Sequence, residues 1–357
     1  MKKIILILLI FFLTGCTDYK ELTDMAIVTN VAIDYKDDYK LIIQVLDNKE
    51  NNNNVIIYES NGNTLEEAFR NISLECPKKL YLGHIQTFIV KDDVFKINAS
   101  KFIDFILRNH EIEKDFNLLV TSNDIKDIMS IKTELINIPS ESISKGITNS
   151  SVVKGISNIY FDNYLMILYD VGIDPVLPTI KIKDNNIVLN DELAIFRKDK
   201  LVSYLDKDSS FGYSILNDKA SKSIITFKCD SNNYSSIEIL STKSNYKYIN
   251  NSLIINLNLT ATLKELNCNI DITNDNGINK LKNMFIDEIK RIINKTIDDE
   301  KKLNSDYLGI GRYLYKNDYN FYISNNMNNV IKNMNSKIIV DVTFTQKSSI
   351  KKGDEKY

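Results

Sequence analysis

The first sixteen residues restrict this chain more than any other stretch of it. Lys2 and Lys3 make a short positive start, Ile4 to Leu13 is unbroken apolar sequence, and Leu13-Thr14-Gly15-Cys16 comes next. As a helix the apolar run would span about 15 Å, roughly half a bilayer's hydrocarbon core, so it is too short for a permanent membrane span. Its order of charge, apolar run and small residues fits a cleaved secretory signal. Leu-x-Gly-Cys is the pattern of a bacterial lipobox. It predicts cleavage between Gly15 and Cys16, a diacylglyceryl group on the Cys16 thiol and an acyl group on the new amino end. Each buried methylene contributes about 0.8 kcal/mol, so more than one acyl chain makes a stable anchor where a single chain is marginal. Residues 1–15 are therefore expected to be a lipoprotein signal peptide. Residues 16–21 are expected to be the lipidated cysteine and a short tether.

The rest of the chain has the composition of a folded body. Of the 357 residues, 43% are hydrophobic and 26% charged, a balance unlike that of a disordered chain. The net charge is −2, and loss of the leader makes it more negative by removing Lys2 and Lys3. A weakly acidic chain without a clustered basic face argues against nucleic acid as a partner. The abundance of Asn, Ile and Lys, with no Trp, 11 Gly and 4 Pro, fits an AT-rich coding genome.

Four cysteines and two histidines leave little material for a metal site, since structural zinc needs four ligands in short paired spacings. With Cys16 modified, Cys76, Cys229 and Cys268 allow one disulfide at most. They are read here as small buried apolar residues.

Residues 26–34 and 39–46 read as strands joined by a turn at Lys36-Asp37-Asp38, with Tyr39, Leu41, Ile43 and Val45 sharing one face. Thr64-Leu65-Glu66-Glu67 is a capping box that opens a helix with Leu65, Ala68, Phe69 and Ile72 inward. A strand at 85–90, a helix near 98–110 with Phe102, Ile103, Ile106 and Leu107 inward, a strand at 116–121 and a short helix from about Asn123 continue the alternation. Residues 135–160, rich in Ser and Asn, are expected to be irregular, and helical periodicity resumes over 161–172. A hairpin over 192–205 leads into a series of strands, the clearest at 253–261. A long helix is expected from about Ile278 to Asp299 and a last strand at 338–344, before a charged tail. The expected fold class is α/β (α+β mixed sheets), in two to three small mixed-sheet domains.

Local motifs give no catalytic or cofactor site. Gly309-x-Gly311 has Leu314 where a dinucleotide fingerprint needs its third Gly, and a turn after the long helix is the better reading. Asp271 to Gly277 has Asn276 and Lys282 at the sixth and twelfth positions of a calcium loop, where Gly and Glu belong, so it reads as an Asn/Asp/Gly turn. His84 and His110 are the only histidine bases on offer, and no nucleophile elbow surrounds any serine. His84, before an apolar strand, is expected to be a partly buried structural imidazole. No cofactor and no metal are expected.

Several segments in order resemble the Ger(x)C family of spore germination lipoproteins, the C-subunits of nutrient germinant receptors. Gly15-Cys16-x-Asp18, Glu21-Leu22, Met25-Ala26-Ile27-Val28 and Val31-Ala32-Ile33-Asp34 are similar to the family's opening "GCWDxxELNxLAIVxGIGID", with Thr17 in place of the usual Trp. Gly62-x-Thr64-Leu65-x-Glu67-Ala68, Lys79-Leu80-Tyr81 with His84, and Arg108 with Glu111 resemble its next blocks. Glu192 to Val202 resembles its "G-x-A-x-F-k-x-d-k-L-V-G" hairpin, with Ser203 for Gly, and Asp306-Tyr307-Leu308-Gly309-Ile310-Gly311 its "D-x-f-G-l-G" turn.

The resemblance implies an N-terminal family domain at 22–185 and a C-terminal one at 186–350. It also implies a non-enzymatic subunit, lipid-anchored in the spore inner membrane with its body on the outer face, whose partners are integral membrane receptor subunits. A solute-binding lipoprotein of a transporter and a surface hydrolase are the competing expectations.

Overall fold

The computed structural model describes residues 24–47, 54–97, 99–132, 138–154, 159–230 and 232–345. The expected signal peptide, Gly15, Cys16, the tether and most of the charged tail lie outside the described residues.

The body holds two sheets. It opens as an antiparallel meander, β1 (Met25–Tyr35), β2 (Tyr39–Asp47) and β3 (Asn54–Gly62). Helix α1 (Leu65–Glu75) starts where the capping box places it: Thr64 accepts from the Glu67 N–H at 3.1 Å, and the Glu67 carboxylate accepts the Asn63 N–H at 2.8 Å. Short β4 (Lys79–Tyr81) runs parallel to the beginning of β1, pairing Lys79 with Met25. Next along the chain are β5 (Thr87–Lys91), α2 (Asp92–Ile97), α3 (Ala99–Arg108), β6 (Asn117–Thr121), α4 (Ile125–Ser130), α5 (Pro139–Lys154), α6 (Phe161–Tyr169) and β7 (Val176–Lys183). β5, β6 and β7 extend β1 in parallel, and β8 (Asn186–Arg197) and β9 (Lys200–Leu205) finish the sheet as antiparallel hairpins. The nine strands thus run β3-β2-β1-β5-β6-β7-β8-β9 with β4 beside β1. The expected boundary at 185/186 falls in the turn between β7 and β8, inside this sheet.

Both faces of the larger sheet are covered, which accounts for strands apolar at nearly every position. Leu41, Ile43, Phe88 and Val90 pack into one core with α1, α2, α3 and α6; Ala32, Ile42, Ile89 and Leu119 belong to the other. That second core is continuous with the smaller sheet. After α7 (Lys207–Leu216) come β10 (Ser223–Lys228), β11 (Tyr234–Ile249), β12 (Ser252–Leu266), α8 (Asp275–Leu303), α9 (Ile310–Asn317), α10 (Tyr319–Ser324), α11 (Met327–Asn333) and β13 (Asn335–Phe344). β13 lies parallel to β12, and the connection runs through α8, whose Leu281, Phe285, Ile289, Ile292 and Ile293 are buried. Asn250 and Asn251, both at positive φ, make the tight turn between β11 and β12. Among the described residues, no helix is long and apolar enough to cross a membrane.

Four expectations are corrected. Residues 139–154, expected to be irregular, form α5, because Ile143 and Ile147, one helical turn apart, are buried in the second core. A helix, α7, interrupts the expected run of strands after 205; Asp206 caps it by accepting the Ser209 N–H at 3.0 Å. Leu107, placed inward by periodicity, is exposed, because the α3 stripe narrows to Ala99, Phe102, Ile103 and Ile106. Cys229 and Cys268 are joined as a disulfide rather than buried as separate thiols, leaving Cys76 free and buried.

Candidate functional site

The structure does not bring the two histidines into a site. His84 stands exposed in the turn after β4, with buried Leu82 and Ile85 on either side, so the expected partial burial is not observed; the turn points the imidazole outward. His110 is likewise exposed, just beyond α3. Asp271 to Gly277 is the turn that its composition implies: the Asp271 carboxylate accepts from Thr273 and Asn274, and Asn274 caps α8. Among the described residues, no three His, Cys, Asp or Glu side chains are grouped to hold a metal ion.

The most concentrated polar chemistry lies instead where three chain segments meet: 170–174, the end of β8 with its turn, and 300–312. α8 ends at Asn304 in the left-handed conformation (φ 52). Its last carbonyls meet Arg197, whose Nε donates to the Asn304 oxygen at 2.8 Å and whose other arm donates to the Leu303 oxygen at 3.0 Å. A guanidinium there satisfies carbonyls with no helical partner and opposes the negative end of the helix dipole. Asp306 then closes the turn. Its carboxylate accepts the N–H groups of Ile310 and Gly311, each at 2.7 Å, at the start of α9. Gly309 (φ +72) supplies the backbone conformation that lets the chain re-enter a helix.

Segment 170–174 docks onto this turn backbone to backbone. The Gly172 carbonyl accepts the Arg312 N–H at 2.5 Å, and Asp170 pairs with the Arg312 side chain at 3.1 Å. A Cβ on Gly172 would lie 2.5 Å from the Arg312 nitrogen, and one on Gly311 would lie 3.2 Å from the Gly172 Cα, so two glycines are what allow the approach. Asp174 joins all three segments: its carboxylate accepts the Lys198 and Asp306 N–H groups, each at 2.8 Å.

Burial sets the charge state of this cluster. Glu300, fully buried, accepts the Leu308 N–H at 2.9 Å through one oxygen, while the other has no partner. Desolvation, reinforced by the neighbouring Asp306 charge, holds its carboxyl well above the usual carboxylate range. Burial likewise pushes Asp306 up to about 7, with Asp174 adding to the rise and the Gly311, Ile310 and Gly309 N–H groups opposing it. The Asp306 oxygens are engaged by backbone donors, as are those of Asp174. Chemically the arrangement is a fastener between β8, the 170–174 segment and the α8–α9 turn.

A cleft of about 790 Å³ opens beside the fastener. Ile103, Leu107, Leu168, Tyr169, Tyr322 and Ile331 form much of its wall, and Asp104, Asp170, Asp199 and Lys198 stand among them. The Asp306–Gly311 turn is visible in the sequence, but Asp174 as its partner is not. The only local hint is Gly172 two residues before Asp174-Pro175.

Comparison with known proteins adds context to this geometry. Residues 18–182 match the family model described as "Spore germination protein N-terminal domain", and residues 191–347 match "Spore germination B3/ GerAC like, C-terminal". The chain is 24% identical to the spore germination protein GerQC of Bacillus cereus, over 97% of this chain and 99% of that protein. It is 21% identical to the spore germination protein KC of Bacillus subtilis, over 88% and 87%. A 23% identical match to the putative spore germination protein YfkR of Bacillus subtilis spans 60% of this chain but 61% of that protein, less than two thirds of it. The crystal structure of the GerBC protein superposes with a TM-score of 0.56 at 14% identity, covering 88% of this chain and 97% of that one, a likeness of fold.

Proposed function

The chain belongs to the GerAC family of spore germination proteins, and from that membership we propose that it is the lipid-anchored, non-enzymatic subunit of a spore nutrient germinant receptor. In this reading Cys16 carries the diacylglyceryl and acyl groups after cleavage behind Gly15. The body stands on the outer face of the spore inner membrane and works with integral membrane partner subunits. Residues 22–185 and 186–350 are its two family domains, with the larger sheet shared between them.

The observation that carries the reading is the ordered match of both family domains along the chain, behind a lipobox at the position an exported lipoprotein needs. The Cys229–Cys268 bridge is in keeping with export, since disulfides persist in oxidising compartments. A tethered body without a membrane-crossing helix among its described residues needs partners to pass a signal, and tethering raises its effective concentration at them.

The test is genetic. Deleting the gene, or replacing Cys16 by Ala, in a strain without redundant receptors should impair nutrient-triggered germination and leave sporulation and growth intact. Partner subunits should co-purify from spore membranes in mild detergent. Normal germination of the deletion strain with every nutrient combination would remove the reading. Tight binding of a nutrient by the isolated protein would move it towards a solute-binding lipoprotein.

A further inference from the structure

The anchor and the start of β1 are close in the chain. Met25 lies nine residue steps after Cys16, a reach of at most about 32 Å even when fully extended. A body of this length has a radius of gyration of about 20 Å, so its far side stands about 50 Å from the near one and lies beyond that reach. The end of the larger sheet that carries Met25 is therefore the end held towards the bilayer.

Large apolar side chains are exposed at that end. Leu74, on the outer side of α1, is 85% exposed, the highest value among the large exposed hydrophobic residues described. Five residues later the chain reaches Lys79, which pairs with Met25 itself. Tyr81, at the end of β4 opposite Ile27, is exposed. Ile56 is exposed too, on edge strand β3, where the register Val28–Val45–Ile56 sets it two strand spacings, about 9.5 Å, from β1. Lys78 and Lys79 are both exposed between Leu74 and Tyr81. Nothing in the packing of α1 calls for Leu74: its buried stripe is Leu65, Ala68, Phe69 and Ile72.

We propose that this end of the larger sheet rests on an anionic phospholipid bilayer, with Leu74, Ile56 and Tyr81 at the boundary between headgroups and acyl chains and Lys78 and Lys79 among the headgroup phosphates. The inference depends on anchoring at Cys16 and adds to it a fixed orientation. Lys79 also meets Glu111 at 3.2 Å, a half-exposed pair of small energetic weight, so apolar contact contributes more than charge and added salt weakens the seating only in part.

The sequence contains no Trp, so a single introduced one reports depth without background. Full-length L74W and I56W, and D37W as a control in the exposed turn about 33 Å along β1 from Met25, would be reconstituted in vesicles of phosphatidylglycerol and phosphatidylcholine with brominated acyl chains. Because interfacial apolar faces sit about 5–10 Å deep, quenching should be at least about twofold stronger for L74W and I56W than for D37W. Vesicle-bound protein in which L74W and I56W are quenched no more than D37W overturns the orientation alone. Protein that does not float with the vesicles overturns the anchor at Cys16, and this inference with it.

Discussion

Asp174 and Asp306, 132 residues apart, hold each other by one backbone bond and one side-chain bond: the N–H of Asp174 donates to the Asp306 carbonyl at 2.9 Å, and the N–H of Asp306 donates to Asp174 Oδ2 at 2.8 Å. The other oxygen of Asp174 accepts the Lys198 N–H. Replacing Asp174 by Ala leaves the N–H of buried Asp306 without its partner, at a cost of about 2–3 kcal/mol in urea unfolding. Asp174→Asn, which keeps one carbonyl oxygen, should lose less. Equal losses in the two variants would show that the carboxylate is not what joins the segments.

Two glycines in the same junction should rank clearly. Gly172 has φ +70 and faces backbone atoms at 2.5 Å, whereas Gly309 has φ +72 but faces only the end of the Ile173 side chain, at 3.1 Å. The left-handed conformation alone costs about 1–2 kcal/mol with a side chain. Gly309→Ala should lose about that much. Gly172→Ala should lose more than about 3 kcal/mol, since main chain must separate from main chain. Thermal melts of the two variants read the order directly, and the reverse order would contradict the close approach.

The buried acids predict how stability changes with pH. Glu300 and Asp306 bind protons more tightly folded than unfolded, because burial raises both. The stabilising contribution of each is complete below the unfolded carboxylate range, near pH 4; that of Asp306 is lost as pH rises through about 7, and that of Glu300 is likewise lost as pH rises above the unfolded carboxylate range. Glu300→Gln removes the share of Glu300, since an amide does not titrate. Relative to the unaltered protein, this variant should gain melting temperature between pH 5 and pH 8 in calorimetry. A difference that stays constant over that interval would mean Glu300 is not held neutral.

The Cys229–Cys268 bridge closes a loop of 39 residues between β10 and the end of β12. Constraining a loop of that length in the unfolded chain corresponds to roughly 4 kcal/mol in the chain-entropy treatment. Replacing both cysteines by Ser should lower unfolding stability by up to that amount and make melting insensitive to reductant. Cys76, free and buried, should resist alkylation until the protein unfolds.

The periodic elements are legible in the sequence. The capping box at Thr64, the alternation of Tyr39, Leu41, Ile43 and Val45, and the stripe of α8 all have local causes, and each stands where those causes put it. Helix α5 is hidden because Ser and Asn dominate it and its two buried isoleucines acquire meaning only from the sheet behind them. The three short helices after Gly309 carry no long stripe, and α10 has no buried residue at all. The turn at Asp306 is readable from its own residues. Its partners are not: Asp174, Gly172 and Arg197 arrive from more than a hundred residues away, and no local rule of spacing links them. The disulfide is hidden for the same reason, since spacing alone does not separate a bridge from two buried thiols.

The parallel pairing of β12 with β13 also sets a timetable. Ser252 meets Asn335 and Ala261 meets Phe344, so every rung joins positions 83 residues apart. Such long-range contacts repay their loop entropy late and slow folding. At about 5–20 residues per second, synthesis leaves β12 waiting some 4–17 seconds for its neighbour, one edge bare over ten residues. During that interval the half-made sheet presents unpaired N–H and C=O groups, a template for pairing with another chain. Newly made molecules are thus most vulnerable to aggregation just before residue 344 arrives, and whatever delays elongation between residues 262 and 334 prolongs that exposure.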